Sequence, residues 1–398
     1  MSAQGGFATK CVHAGKNPDE FGALCTPIYQ TSTFAYPDTD SAAAGFADLA
    51  SGFHGFAYSR LTNPSCDVFE KKLAELEHGA RAVAFASGMG AIAGTLVSLV
   101  KAGDHIVCSK TLYSGTHHLI NASLARFGVE VTAVNTSDLD AVEKAVRPST
   151  KLIYFETPAN PTMEITDIAG IVAIAKKHGL MTVSDNTFAS PFLTNPIDFG
   201  VDIVVHSCTK YIGGHGDVIA GAAVAKEEDI ASLIRYEGLM HFGAVMAPHT
   251  AFLLERGLKT LGIRMRQHCA NALQIASWLE KQPWVAGVRY PYLPSDPSCE
   301  TAKRQMRGGS GVVTFDVAAG LEGGKALMNH LKLCTIAVSL GDCETLVEHP
   351  ASMTHIMVDK EERLAEGITD GLIRMSVGLE DAEDLIADLE QAAAYIGK

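Results

Sequence analysis

The sequence predicts an α/β fold: a large domain on a mainly parallel sheet covered on both faces, with a smaller C-terminal α+β domain packed on it. Three observations carry this. From about residue 81 to 225, short apolar runs alternate with helical stretches, the rhythm of strand–helix–strand units. The strand-like runs AVAFAS, HIVCS and DIVVHS are apolar at successive positions, as strands buried on both faces are. Beyond about residue 228 the pattern changes to long helical material and then isolated strands and helices.

Taken in order, residues 1–60 form an arm rich in Gly, Ala, Ser and Thr with little helical period, which needs a neighbouring surface to pack on. It ends in GFHGFAYSRLTNP, where Tyr58 and Arg60 stand out among small residues. A helix follows: Asn63 caps it, Pro64 suits its first turn, Phe69, Leu73 and Leu76 share a face, and Gly79 stops it. AVAFAS, HIVCS, VEVTAV, KLIYFET, MTVSDN, DIVVHS and GAAVA are the strands of residues 61–250. Helices are expected at AIAGTLVSLV, after TLYSGT, and at IVAIAKKHG. Residues 251–398 form the second domain. Helical material over roughly 228–282 leads into it, followed by the strand GVVTFDV, a helix near 324–332 and a closing helix after Glu380.

Composition narrows the function. Of 398 residues, 32 are Lys or Arg and 45 Asp or Glu, a net charge of −13 with no long basic run. That argues against nucleic acid and anionic membranes as partners. No apolar run approaches the ~20 residues of a bilayer span, and the N-terminus lacks a signal-peptide pattern. The nine cysteines are scattered without a CxxC pair, which fits reduced thiols in a cytoplasm and argues against zinc.

The residues that can do chemistry sit at strand ends. DIVVHSCTKY ends a strand in small hydroxyl residues and a lysine: Ser207 and Thr209 can bind a phosphate while Lys210 forms a Schiff base with an aldehyde. An isolated lysine there would ordinarily be a surface residue. Ser87-Gly88-Met89-Gly90 follows a strand and opens a helix, which suits either a phosphate or merely tight packing. Asp185 ends MTVSD and can hold a pyridine nitrogen protonated or cap the next turn. Tyr113 can stack on a planar cofactor, donate a proton or lie in the core. Asn160, between two prolines, either bonds a ligand oxygen or shapes its turn. Arg374, in an apolar run, receives either a substrate carboxylate or a structural carboxylate.

The order of SGMGAI, TLYSGT, ETPANPT, SDNTFASP, HSCTKYIGGHGD, AVSLGDCETLVEHPASMTH and LIRMSVGLED resembles the trans-sulfuration family of pyridoxal phosphate enzymes, from YQTSTF near residue 30 to the end. The resemblance implies the aspartate-aminotransferase fold type and a homotetramer of two tight dimers. It implies that Lys210 carries pyridoxal 5'-phosphate, Asp185 pairs with its ring nitrogen, Tyr113 stacks on the ring and serves as acid, and Asn160 meets the ring hydroxyl. Gly88, Met89, Ser207 and Thr209 would hold the phosphate, with Tyr58 and Arg60 reaching it from the partner subunit. Ser339 and Arg374 would receive the carboxylate of a small sulfur amino acid. SLGDCETLVEHPASMTH and ETPANPTMEITDIA are most similar to the methionine γ-lyase branch, which implies γ-elimination of L-methionine. Two features depart from that branch. Gly115 stands where it usually carries cysteine, leaving room in the expected pocket, and Met240–His241 stand in a segment spaced more like cystathionine γ-lyases. A cystathionine γ-lyase is the alternative, with a sulfhydrylase or cystathionine γ-synthase behind it.

Overall fold

The computed structural model describes residues 5–16, 19, 21–47 and 55–397. The start of the N-terminal arm and the GFH of GFHGFAYSR lie outside the described residues. The expected alternation resolves into strands β1 (Arg81–Phe85), β2 (His105–Ser109), β3 (Glu130–Val134), β4 (Thr150–Glu156), β5 (Met181–Asp185), β6 (Ile203–Ser207) and β7 (Gly221–Ala225). They form one sheet in the order β1-β7-β6-β5-β4-β2-β3. Strand β7 runs antiparallel to both neighbours, and the remaining pairs are parallel. Successive side chains serve opposite faces: Ala84, Val107, Ile153 and Val204 enter one core, and Phe85, Ile106, Leu152 and Val205 the other. Burial on both faces is why the inner strands read as nearly unbroken apolar runs, while edge strand β3 stays partly exposed.

The helix Pro64–Glu77 starts as its sequence dictates, with the Asn63 side chain accepting from Ser65 N. It stops one residue earlier than expected, at His78 in the left-handed region (φ 62°). Gly79 is required for space instead, since a Cβ there would lie 2.4 Å from Val224 Cγ1.

The expected helical run over 228–282 is broken. Helix Glu228–Leu233 continues as a wide π-type turn over Ile234–Met240, and the long helix Pro248–Leu279 begins afresh. Between them, Gly243 takes a positive φ of 76°, and the chain runs beside the end of β1, where Ala86 N donates to Ala244 O at 2.7 Å. The long helix serves two cores: Leu254, Leu258 and Met265 pack under the large sheet, and Ala272, Ile275 and Leu279 under the second.

That second sheet comprises β8 (Val285–Arg289), β9 (Val312–Val317), β10 (Thr335–Ile336), β11 (Leu346–Glu348) and β12 (Leu372–Ser376), in the order β10-β11-β12-β9-β8. Helices Gly320–Asn329 and Ala382–Ala393 belong to this part of the chain.

The arm holds more helix than its composition suggested, at Phe7–His13 and Thr39–Ala47. The first packs on its own chain, with Phe7 edge-on to Phe192 at 5.4 Å and Lys10 paired with Glu75 at 2.9 Å. The second buries no side chain, and Phe21 and Leu24 are more than four-fifths exposed. Among the described residues no helix is long and apolar enough to cross a membrane, and no group of three or more His, Cys, Asp or Glu is arranged to hold a metal.

Candidate active site

The carboxyl ends of β4, β5 and β6, the first turn of helix Gly88–Leu99, and the loops around β11 and β12 enclose a cavity of about 300 Å³. Crevices at this edge of a parallel sheet are where α/β folds bind ligands. Lys210 enters it just after β6, and its Nζ donates to Ser339 Oγ at 2.6 Å. Burial, aided by the nearby Arg374 charge and opposed by Glu348, pushes the amine down to about 8. A neutral fraction raised well above that of an ordinary lysine near physiological pH is what a lysine needs in order to attack a carbonyl.

Arg374 sits on β12 directly opposite Glu348 on β11, and both side chains are buried. Its Nη2 pairs with Glu348 Oε2 at 2.6 Å and donates to Ser339 O at 2.8 Å; its Nη1 donates to Asn160 Oδ1 at 2.9 Å. Its Nε is buried and has no partner among the described residues. The two sequence readings of Arg374 therefore coincide: it has a structural carboxylate and still holds donors for another anion.

Opposite lies a cradle. Ser87 Oγ accepts from Gly90 N at 3.0 Å, while the N–H groups of Gly88 and Met89 belong to the helix's open first turn. A Cβ on Gly88 would lie 2.8 Å from Ser207 Cβ, so only glycine lets the helix start come this close to β6. The Thr209 hydroxyl is engaged by Ala220, accepting from its N–H at 3.0 Å and donating to its C=O at 3.2 Å. It must turn from that carbonyl to donate to a phosphate.

On the floor, Asp185 Oδ1 accepts from Thr187 N at 2.9 Å. Glu156, its neighbour in register on β4, accepts the Tyr113 N–H at 3.0 Å. Burial raises Asp185 above the usual carboxylate range, and burial together with the Asp185 charge raises Glu156 further. A cationic ring N–H is the partner that restores such an aspartate to its ionised form. The raised aspartate, the glycine cradle and the orphaned Arg374 Nε fit, in turn, the pyridine nitrogen and phosphate of pyridoxal phosphate and the carboxylate of an amino acid.

Gly88, Met89, Tyr113, Asn160, Asp185, Ser207, Thr209, Lys210, Ser339 and Arg374 all line this one cavity. Tyr58, Arg60 and Gly115 do not. Arg60 Nη1 donates to Met240 O at 2.6 Å, and its guanidinium carbon lies 5.6 Å from the Tyr58 ring centroid. The room expected at Gly115 is taken: a Cβ there would lie 2.6 Å from Tyr113 Cε1 and 3.0 Å from Met89 Sδ. Glu156, Glu348, Thr354 and His355 also line the cavity and were not singled out from sequence. Glu348 and His355 carried one signal, ionisable residues within a motif already marked as characteristic.

Lysine, aspartate, glycine cradle and buried arginine on this fold define a pyridoxal-phosphate-dependent enzyme of the aspartate-aminotransferase type. The chain belongs to the Cys/Met metabolism PLP-dependent enzyme family, whose model matches residues 8–394. It is 51% identical over 390 residues to L-methionine gamma-lyase of Treponema denticola, covering 97% of this chain and 96% of that protein. Cystathionine gamma-lyase of Bacillus subtilis is 44% identical over 390 residues, covering 98% and 99% respectively. Among solved structures, cystathionine gamma-lyase from Lactobacillus plantarum complexed with L-serine superposes with a TM-score of 0.91 at 43% identity, covering 98% of this chain and 99% of that one.

Proposed function

We propose that this chain carries out γ-elimination of L-methionine and related thioether amino acids, yielding with water 2-oxobutanoate, ammonia and a thiol. The observation that carries the reading is the buried Lys210 amine, depressed to about 8, within 2.6 Å of the Ser339 hydroxyl, in a cavity that ends on Arg374. The higher identity to a methionine γ-lyase than to a cystathionine γ-lyase supports the choice of substrate.

In this reading Arg374 and Ser339 seat the substrate carboxylate, which fixes the α-hydrogen in front of Lys210, and the Asn160 amide meets the cofactor's ring hydroxyl. Bound pyridoxal phosphate supplies an electron sink conjugated to the α-carbon. Asp185 holds the positive charge of the ring nitrogen, and Gly88, Met89, Ser207 and Thr209 anchor the phosphate. The Lys210 amine takes the α-proton, a second proton then leaves Cβ, and as the Cβ–Cγ double bond forms and Cγ–S breaks, Tyr113, half exposed at the cavity wall, gives its phenolic proton to the departing sulfur.

Tyr58 and Arg60 act in the neighbouring subunit's site, in a homotetramer of two tight dimers. Their distance from their own cavity and the exposed apolar arm support that assembly. Domain limits near residues 60 and 250 are part of the same reading, as is a cytoplasmic location, which nine free cysteines support.

A panel of L-methionine, L-cystathionine, L-homocysteine, and O-acetyl-L-homoserine with sulfide tests the substrate. Methionine should give 2-oxobutanoate and methanethiol with the highest kcat/KM. A cystathionine kcat/KM well above that for methionine would transfer the reading to a cystathionine γ-lyase, which the spacing around Met240 and His241 favours.

A further inference from the structure

The carboxylate end of the cavity contains an anion of its own, and that anion has no place in the chemistry above. Glu348 and Arg374 face each other across the β11–β12 ladder, where directly opposed side chains share a face. Glu348 Oε1 accepts from the Thr354 hydroxyl, and Thr354 Oγ1 lies 3.0 Å from His355 Nδ1. Glu348, Thr354, His355 and Arg374 all line the cavity. A guanidinium has five N–H donors. Both hydrogens of Nη2 are engaged, by Glu348 Oε2 and Ser339 O, and one hydrogen of Nη1 by Asn160. What is left is Nε–H, buried with no partner among the described residues, and the second hydrogen of Nη1.

We propose that Glu348 is a positioning residue that orients Arg374 for the substrate carboxylate and attenuates its charge, keeping substrate affinity moderate and limiting the field of Arg374 at Lys210. The inference rests on the reading of Arg374 as the carboxylate seat. An uncompensated guanidinium in this enclosure would bind any carboxylate strongly, in ground state and transition state alike, and uniform binding of that kind does not raise kcat. Glu348 also offsets at Lys210 the downward push of Arg374. The other titratable side chains lining the cavity are Tyr113, Glu156, Asp185 and His355. Burial keeps His355 below the usual imidazole range, so at neutral pH it adds no charge that could replace that of Glu348.

Glu348→Gln keeps an acceptor for Nη2 and removes the charge, whereas Glu348→Ala removes both. L-Norleucine, which has a methylene in place of sulfur and no leaving group, reports binding of the holoenzyme by calorimetry whichever thioether is preferred. The pH dependence of pyridoxal phosphate uptake by the apoprotein reports the neutral fraction of Lys210 independently of turnover. Glu348→Gln should bind norleucine several-fold more tightly and shift the uptake midpoint to lower pH. Glu348→Ala should bind it about tenfold more weakly, as a mispositioned charge-assisted contact does. Glu348→Asp, the reserve if the glutamine variant does not fold, should keep the parent's uptake midpoint while weakening norleucine binding. The proposal is overturned if Glu348→Gln moves neither readout or weakens norleucine as much as Glu348→Ala, or if Glu348→Asp binds like the parent. An Arg374→Ala variant that binds norleucine normally would instead remove the reading of Arg374 on which the proposal stands.

Discussion

The depressed amine of Lys210 makes a quantitative prediction for the apoprotein. Its ordinary value of 10.5 falls to about 8 through burial and the Arg374 charge. At pH 7 roughly one Lys210 in ten is then neutral, against about one in 3,000 for an unperturbed lysine, a gain of ~300-fold in nucleophile. Trace labelling of the apoprotein with an amine-reactive reagent between pH 6 and 11, followed by peptide mass spectrometry, reads this residue by residue. Lys210 should titrate with a midpoint near 8, well below its ordinary value of 10.5. Stability follows with a definite sign. Between about 8 and 10.5 the unfolded chain still binds a proton that the folded chain has lost, so stability rises with pH across that window. The increment is at most ~3 kcal/mol before discounting for solvent that reaches the cavity. Lys210→Met should remove that dependence, making the variant apoprotein the more stable of the two below pH 8, by a margin that closes toward pH 10.5. A labelling midpoint near 10 would refute the argument, because Lys210 would then have to be solvated like a surface amine.

Arg374→Ala should weaken norleucine binding while leaving the bound cofactor's absorbance in place. It should also destabilise the fold by about 3–5 kcal/mol, since it strands the buried Glu348 carboxylate. The double variant with Glu348→Ala should recover much of that loss in a denaturation cycle, and simple additivity would show that the pair is not coupled. Gly115→Cys should act through Tyr113, whose ring atom lies 2.6 Å from the new Cβ position. Displacing that ring by ~1 Å should lower kcat/KM for methionine and cystathionine together, by up to about 100-fold, with their ratio unchanged. A shifted ratio at full kcat would return Gly115 to the role of a pocket wall. Lys210→Ala and Arg60→Ala oligomers should each be nearly inactive. Refolded as hybrids they should recover up to roughly a quarter of the parental activity, because about half the dimers are mixed and each has one intact site. Mass-verified hybrids no more active than either parent would place Arg60 in its own chain's site or in none.

Most of the large sheet was legible because its strands are buried on both faces and bounded by glycines or polar clusters. HIVCS and GAAVA match β2 and β7 residue for residue. The antiparallel direction of β7 was not legible, since direction leaves no trace in a fully apolar run. Strands β8, β10 and β11 were missed: β8 fully buries none of its residues, and β10 and β11 span two and three residues, too few to show a period. The break over 241–247 was hidden because its cause is tertiary, pairing with the end of β1. Lys210, Asp185 and the Gly88 turn were readable because backbone position alone delivers them to one edge. Glu348 was not, because its importance lies in facing Arg374 across a ladder whose register sequence does not reveal. Gly115 was misjudged for a related reason: a missing Cβ signals space, but not which neighbour already fills it.

The insertion of β7 between β1 and β6 sets an order of events during synthesis. The cradle joins residues 87–90 to Ser207, positions well over a hundred residues apart, and β7 is the strand that hydrogen-bonds to both halves. A Cβ on Gly221 would lie 2.1 Å from Ser87 O, so the cradle's turn and β7 are fitted to each other without slack. A ribosome-bound chain that has not yet emerged through residue 225 therefore lacks the strand that hydrogen-bonds β1 to β6. Pairing at such sequence separation is slow, and while it is pending the edges of β1 and β6 stay open to other chains. Pyridoxal phosphate, whose phosphate the closed cradle would hold, belongs after that step. It stabilises the product of folding by mass action after β7 has docked.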